Sequence, residues 1–471
     1  MEFIGRKHEL QILENMYSKK GFRMMVIYGR RRIGKTALLS RFSEDKSPMF
    51  YTGIESKERE NLQEFANAVM ARYNPDMPNV KFDSFSTAVA YLTACLKKAP
   101  PEESQLVVID EYPYVAESAP ELSSILQREI DREWKNLNVM LVLCGSSITF
   151  MEDEVLGEKS PLFGRRTGQL DLQPLDYRTS AEFVPDYKPE EKAIVYGITG
   201  GIPKYLSEID PKLTLSQNII TQFFNPSGYF YEEPKNLLRQ EFRDVSLYYS
   251  ILNAIGNGAV QMTEIADKTG FDTARVAQAL AKLEAVRIVR KETPILNEKN
   301  KKLTQYFLYD GMFRFWFRFV PKGSTAIERY YGETYYHSAV EPVIHDYMGG
   351  IFEMICREYT FCRGMESKWE TVPTRTGKWR GNDSQKKCPA DIDVVAVNDA
   401  EKTAIIGECK FKNTPFGKEE YETLLDRARL ISPYRVTRCL IFSLSGVTAW
   451  VGQQNNPMTE VISVEELYGS L

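Results

Sequence analysis

Three short runs in the first 150 residues are apolar at every position. They are Met24-Met25-Val26-Ile27-Tyr28, Leu106-Val107-Val108-Ile109 and Val139-Met140-Leu141-Val142-Leu143. A strand apolar on both faces belongs in a parallel sheet covered by helices on each side, so these runs predict three strands of one such sheet. The first is followed by Gly29-Arg30-Arg31-Arg32-Ile33-Gly34-Lys35-Thr36 and then by a helical pattern from Ala37 to Phe42. The pattern changes in the middle of the chain. Thr263 to Thr269 reads as a short helix stopped by Gly270, and Thr273 to Ala285 as a longer one opened by Asp272, a good N-cap. Ile288-Val289-Arg290 and Leu303 to Leu308 read as two strands of a hairpin with a charged tip near Asn297 to Lys302. Further on, Asp391 to Val397 alternates, turns over Asn398 to Lys402, and returns as Thr403 to Lys410.

With 471 residues the chain is long enough for three or four domains. Its 43% hydrophobic and 26% charged residues are those of a globular protein, and no 18-residue apolar run is present, so no membrane span or membrane partner is expected. Residues 1–20 lack an apolar secretory core. The seven cysteines are scattered without a CxxC pair, which fits reduced thiols and a cytoplasmic location better than a disulfide frame or zinc site. Three histidines exclude a histidine-rich metal centre. A net charge of −4 means that any nucleic-acid binding must come from local basic patches.

The eight residues from Gly29 to Thr36 have the G-x-x-x-x-G-K-T spacing of a phosphate-binding loop, in the strand–loop–helix setting it requires. The glycines let the backbone turn its N–H groups inward, and the helix starting near Ala37 adds its positive end. Lys35 is placed to reach the β and γ phosphates of ATP and the Thr36 hydroxyl to ligate Mg²⁺. The strand before Asp110-Glu111 ends in two carboxylates, one to hold Mg²⁺ and one, Glu111, to orient or deprotonate water. The third strand leads into Cys144-Gly145-Ser146-Ser147, at the ligand-binding end of such a sheet. Either serine can sense the γ-phosphate, or its hydroxyl can cap the next helix.

These residues, with Phe3-Ile4-Gly5-Arg6, resemble the AAA+-related STAND ATPases. Leu162-Phe163-Gly164-Arg165-Arg166-Thr167 and Gly200-Gly201-Ile202-Pro203-Lys204-Tyr205-Leu206 are similar to segments of the archaeal-type ATPase family, which is also spread through bacteria. The resemblance implies that Arg165 or Arg166 neutralises charge near the γ-phosphate; the alternative is a surface ion pair. The Gly-Gly-Ile-Pro turn is expected in a helical lid. An arginine acting in trans would need a second copy, so a homo-oligomer is among the partners to be expected.

The two middle helices and the hairpin resemble a winged helix, with Arg275, Gln278 and Lys282 exposed for a DNA groove. Tyr309-Asp310-Gly311-Met312-Phe313-Arg314-Phe315-Trp316-Phe317-Arg318-Phe319 has the look of a base-stacking stripe, but aromatics at this density are expected to form core. In the last third, a turn over Asp399 to Lys402 sets Asp393 opposite Glu408 and Lys410 opposite Asp391, gathering acids and a lysine on one surface suited to Mg²⁺ or Mn²⁺. Asp, about fifteen residues, then Glu-x-Lys resembles the PD-(D/E)XK nuclease fold. The resemblance implies that Asp393 and Glu408 ligate metal, that Lys410 positions water or stabilises charge, and that Glu353 assists from a helix. Arg375, Lys378, Arg380, Lys386 and Lys387 precede the site and suit a nucleic-acid backbone, or form a solvated loop.

The expected fold is α/β: a P-loop NTPase parallel sheet (1–165), a helical lid (166–240), a winged helix (241–312) and a C-terminal restriction-endonuclease-like α/β domain (313–471). The expected function is ATP hydrolysis gating a Mg²⁺-dependent nuclease that acts on DNA. Two rivals are a nucleotide-switched regulator with an inactive C-terminal domain and an ATPase directed only at proteins.

Overall fold

The computed structural model describes residues 3–77 and 80–469. Its contacts divide the chain into two compact units. One takes Met1–Leu175 and Ile202–Lys204, the other Asp176–Gly201 and Tyr205–Leu471.

In the first unit the three apolar runs are strands β1 (Arg23–Tyr28), β3 (Gln105–Asp110) and β4 (Val139–Gly145), joined by β2 (Met49–Thr52) and β5 (Gly168–Asp171). The order is β2-β3-β4-β1-β5 and every pairing is parallel. β3 and β4 are buried along their whole length, as their lack of alternation requires. One face packs a core that includes Phe65, Phe85, Leu92, Leu126 and Trp134. Because β4 lies between β1 and β3, the carboxyl ends of three strands carry the phosphate loop, the acidic pair and the serine pair side by side.

The second unit contains the remaining helices and two sheets. The helices Met262–Thr269 and Thr273–Ala285 form as expected, with Gly270 in the left-handed conformation at φ 72° between them. The carboxylate of Asp272 accepts the Arg275 N–H at 2.9 Å, capping the second helix. Strands β6 (Val289–Glu292) and β7 (Gln305–Leu308) pair antiparallel. Asp310 then caps the helix Gly311–Glu328 by accepting the Phe313 N–H at 2.9 Å. Phe313, Phe315 and Phe317 are fully buried in it, and the Arg314 guanidinium donates to the carbonyls of Leu308 and Tyr309. The aromatic run is therefore core and offers no stacking surface to nucleic acid. Gly311 sits against another glycine: a Cβ on it would lie 2.5 Å from the Gly200 nitrogen, so neither position accepts a side chain without moving backbone.

The second sheet has β8 (Arg375–Asp383), β9 (Cys388–Asn398), β10 (Thr403–Lys410), β11 (Arg435–Ser443) and β12 (Thr459–Ser463) in the order β12-β11-β10-β9-β8. β9 and β10 pair antiparallel from Thr403↔Asn398 to Gly407↔Val394, which leaves Asp399–Lys402 as the turn. The 22-residue helix Ile344–Met365 lies on this sheet and buries Ile351, Phe352, Ile355 and Tyr359. It also meets the helix Pro189–Thr199, where Gly197 allows the approach of Met348 and the Tyr347 hydroxyl donates to the Gly197 carbonyl at 3.2 Å.

Glu358, on the same long helix, is pushed up to about 7, first by burial and then by the charge of Asp176, with Arg178 opposing. A carboxyl with a raised value binds its proton more tightly folded than unfolded. Its contribution to stability is full below the ordinary carboxylate range and is lost as pH rises toward 7. Thermal unfolding followed from pH 4 to 8 should show this loss, and Glu358→Gln should remove that part of the pH dependence.

Candidate nucleotide site and C-terminal acid cluster

The phosphate loop is shaped by three residues with positive φ: Gly29 at 151°, Arg32 at 70° and Gly34 at 86°. A Cβ on Gly29 would lie 2.7 Å from the Leu172 carbonyl oxygen, so this turn out of β1 requires glycine. Gly34 is the N-cap of the helix Lys35–Ser43, whose first turn leaves N–H groups without helical acceptors. Thr36 and Ala37 are exposed at that end, while Arg30, Ile33 and Lys35 are buried. The Lys35 ammonium donates to the carbonyls of Gly29 at 2.9 Å and Arg30 at 3.1 Å. Burial pulls its pKa down, against the opposing charges of nearby acidic groups. Held against its own loop, Lys35 keeps two hydrogen bonds in place of phosphate oxygens.

The other parts converge from neighbouring strands. The Thr36 hydroxyl donates to Asp110 Oδ2 at 2.7 Å, and Asp110 Oδ1 accepts the Glu111 N–H at 3.0 Å. Glu111 has φ 48°, a conformation that side chains other than glycine adopt rarely. Its carboxylate accepts the Ser146 N–H at 3.3 Å and the Ser146 hydroxyl. Ser147 instead caps the following short helix by accepting the Phe150 N–H at 3.4 Å, which separates the roles of the two serines. Arg31 donates to the Tyr114 hydroxyl at 2.8 Å.

Two supports were not assigned a role from sequence. Arg6, 8% exposed, donates to the Ile33 carbonyl at 3.1 Å and the Gln173 carbonyl at 2.7 Å, so the residues before the first helix brace the loop from behind. The Lys204 N–H donates to the Arg32 carbonyl at 3.3 Å, and Pro203 lies next to Gly34. The Gly-Gly-Ile-Pro turn thus bears on the loop as well as ending a helix. Arg165 and Arg166 are held elsewhere. Arg165 makes a two-pronged ion pair with Asp131 at 2.9 and 2.6 Å, and Arg166 donates to Gln169. In this conformation the surface ion pair, which was the alternative for Arg165, is the arrangement present.

The donor set fits a nucleotide with its metal: inward-facing backbone N–H groups, one buried ammonium, and a hydroxyl and a carboxylate that are hard oxygen donors.

In the second unit four carboxylates gather at the ends of β9 and β10 and on the long helix. The Lys378 ammonium lies 3.0 Å from both oxygens of Glu353, 3.0 Å from Asp393 and 3.4 Å from Asp391. Arg427 pairs with Glu408 at 2.9 Å and with Asp391 at 3.5 Å. Asp393 also accepts the Cys409 N–H at 3.1 Å, which ties its strand to β10 beyond the last paired residues. Burial raises Glu408 to about 8, helped by the charge of Asp393 and opposed by Arg427. Burial and Asp393 raise Glu353 as well. Asp393 and Glu408 directly follow the last paired residues of β9 and β10, and Lys378 joins Asp393 to Glu353 on the helix. Lys410 is not part of the cluster's bonding: its ammonium is held by Glu420 at 2.5 Å and the Pro415 carbonyl at 3.0 Å. The lysine among the acids is Lys378, which had been grouped with a basic segment facing a nucleic-acid backbone. A bulge on β9 in the β8–β9 pairing sets Lys378 against Asp393 and Val394 together. Among the described residues no three His, Cys, Asp or Glu side chains already converge as a metal cage.

Comparisons with known proteins agree with the first site. Residues 3–209 match the family described as an ATPase domain predominantly from Archaea. Residues 316–423 match a family of archaeal and bacterial proteins of unknown function. An uncharacterized protein of Methanocaldococcus jannaschii is 29% identical over 433 residues, covering 91% of this chain and 92% of its own. An uncharacterized ATP-binding protein of the same organism is 43% identical over 44 residues, 9% of this chain and 75% of that protein. A solved structure, a Walker-type ATPase of Pyrococcus abyssi, superposes with a TM-score of 0.50 at 20% identity, covering 67% of this chain and 96% of its own. The N-terminal segment thus matches an ATPase domain family by sequence and a Walker-type ATPase by fold. No described helix is long and apolar enough to cross a membrane.

Titration with a fluorescent ATP analogue should show Lys35→Ala losing binding at least a hundredfold. Arg6→Ala should lose several-fold, because the loop keeps its shape less well without the bond to Ile33. Arg165→Ala should bind as the unaltered protein does.

Proposed function

We propose that the chain hydrolyses ATP and uses the nucleotide state to control a metal-dependent nuclease-like centre acting on DNA. The observation that carries the first half is the bond from Thr36 to Asp110, which places the loop and the acidic strand at one point. Mg²⁺ held by the Thr36 hydroxyl and the Asp110 carboxylate would neutralise phosphate charge. Lys35 leaves the Gly29 and Arg30 carbonyls to meet the β and γ phosphates. Glu111 accepts a proton from the attacking water as the new bond to the γ phosphorus forms and the bond to the β–γ bridging oxygen breaks. Ser146 holds the Glu111 carboxylate until the γ-phosphate offers the serine another partner. The contact of Lys204 with Arg32 supports a route outward: Ile202–Lys204 lies on the loop, and the chain on both sides of it belongs to the second unit.

The register of β9 and β10 supports the second half, with Asp393 next to Glu408 and Glu353 facing them from the helix. These are hard oxygen donors suited to Mg²⁺ or Mn²⁺, and the arrangement is that of a PD-(D/E)XK-like site in which Asp393 and Glu408 would hold metal. The two middle helices with the β6–β7 hairpin form a winged helix in this reading. Arg275 in its second helix is paired with Asp244 at 3.0 Å on the surface and would have to exchange that partner for a phosphate.

A second reading is a nucleotide-switched regulator whose C-terminal domain binds without cutting. The ion pairs of Lys378 and Arg427 across the acids favour it, because they satisfy the carboxylates without metal.

Linear and circular DNA incubated with Mg²⁺ or Mn²⁺, with and without ATP, separates the two. The nuclease reading expects cleavage that falls at least a hundredfold in Glu408→Ala and that no longer responds to ATP in Lys35→Ala. Absence of cleavage in every lane, with DNA still bound, establishes the regulator instead.

A further inference from the structure

The segment between β6 and β7 is attached to the C-terminal sheet next to the acid cluster. The Ile295 N–H donates to the backbone carbonyl of Lys378 at 2.9 Å, and the Asn297 side-chain amide donates to the carbonyl of Arg380 at 2.8 Å. Ile295 is 5% exposed and packs in the same core as Trp379, Ile392 and Val395. A Cβ on Gly377 would lie 3.1 Å from Ile295, so the glycine before Lys378 is what lets the hairpin approach. Ion pairs of Arg375 with Glu298 and of Arg357 with Glu292, at 3.1 Å, complete the seam. β8 is an edge strand, and the hairpin covers part of its open side.

The charge arithmetic of the cluster is simple. Glu353, Asp391, Asp393 and Glu408 carry four negative charges when ionised, and Lys378 and Arg427 return two. An ammonium 3.0 Å from Glu353 and Asp393 occupies the space between them and repels an incoming cation, so metal and Lys378 compete for the same carboxylates.

We infer that Lys378 is a tethered cation that closes the acid cluster to metal, and that the β6–β7 hairpin is the element that positions it. The inference rests on the metal-site reading above and adds its control. The hairpin grips the backbone at Lys378 itself and at Arg380, two residues on. Release of the hairpin from these two carbonyls frees β8 to shift and withdraw the ammonium. Cation and lysine then exchange places.

Mn²⁺ binding to the full chain, measured by electron paramagnetic resonance or calorimetry without nucleotide, tests this without relying on cleavage. Asp393→Asn identifies which binding belongs to the cluster. Lys378→Met should tighten the Asp393-dependent site at least tenfold, whereas Lys378→Arg, which keeps the charge, should leave it as in the unaltered protein. The pair Ile295→Ala with Asn297→Ala, which loosens the hairpin and keeps the lysine, should tighten it about threefold or more. Unchanged or weaker binding in Lys378→Met, or in the hairpin pair should Lys378→Met not fold, overturns the latch while leaving the metal site standing. If Asp393→Asn alters Mn²⁺ binding in neither the native nor the Lys378→Met background, the metal-site reading itself is wrong.

Discussion

The hydrogen bond from Thr36 to Asp110 joins the ends of two strands that are not neighbours. β1 and β3 are separated by β4, so the bond spans the width of an intervening strand, and it forms only because the phosphate loop leaves β1 and turns over the top of β4. Glu111 and Ser146 follow from the same order: the acid emerges from β3, the serine from β4, and the two meet because those strands pair directly. Arg6 holds the loop from one side by its carbonyl, and the Ile202–Lys204 segment bears on it from another. Any change in sheet order would separate these groups, whatever their spacing in sequence.

Both sites treat a lysine in the same way. Lys35 is buried and Lys378 half-buried, and each is surrounded by oxygen: two carbonyls and nearby carboxylates for the first, three carboxylates for the second. A charge in such a place is costly unless its partners stay close. Each ammonium is therefore held by the oxygens next to it.

The candidate nucleotide site was legible in the sequence as a grouping of residues because those residues are local. Gly29 to Thr36 supply loop, lysine and hydroxyl within eight residues, and unbroken apolar strands announce where the acids and serines emerge. The β9–β10 pairing was legible for a similar reason, since a turn over Asp399–Lys402 leaves only one register. The ion pair of Arg165 with Asp131 joins residues 34 positions apart and leaves no trace in the local spacing. Lys378 and Lys410 exchanged places for a related reason. The pairing of β8 with β9 sets the first against Asp393, while Glu420, on the next helix, captures the second. The seam between the β6–β7 hairpin and β8 joins residues about 80 apart and leaves no periodic trace.

The most direct test of the account is a comparison of ATP binding and single-turnover hydrolysis in the unaltered protein and in Glu111→Gln. The amide keeps the size of the side chain and its bond to Ser146 but cannot take the proton of water. Unchanged affinity with hydrolysis slowed about a hundredfold or more is the predicted result. Hydrolysis at an unchanged rate would contradict the assignment of Glu111 and, with it, the convergence of loop, acid and serine on one reacting centre.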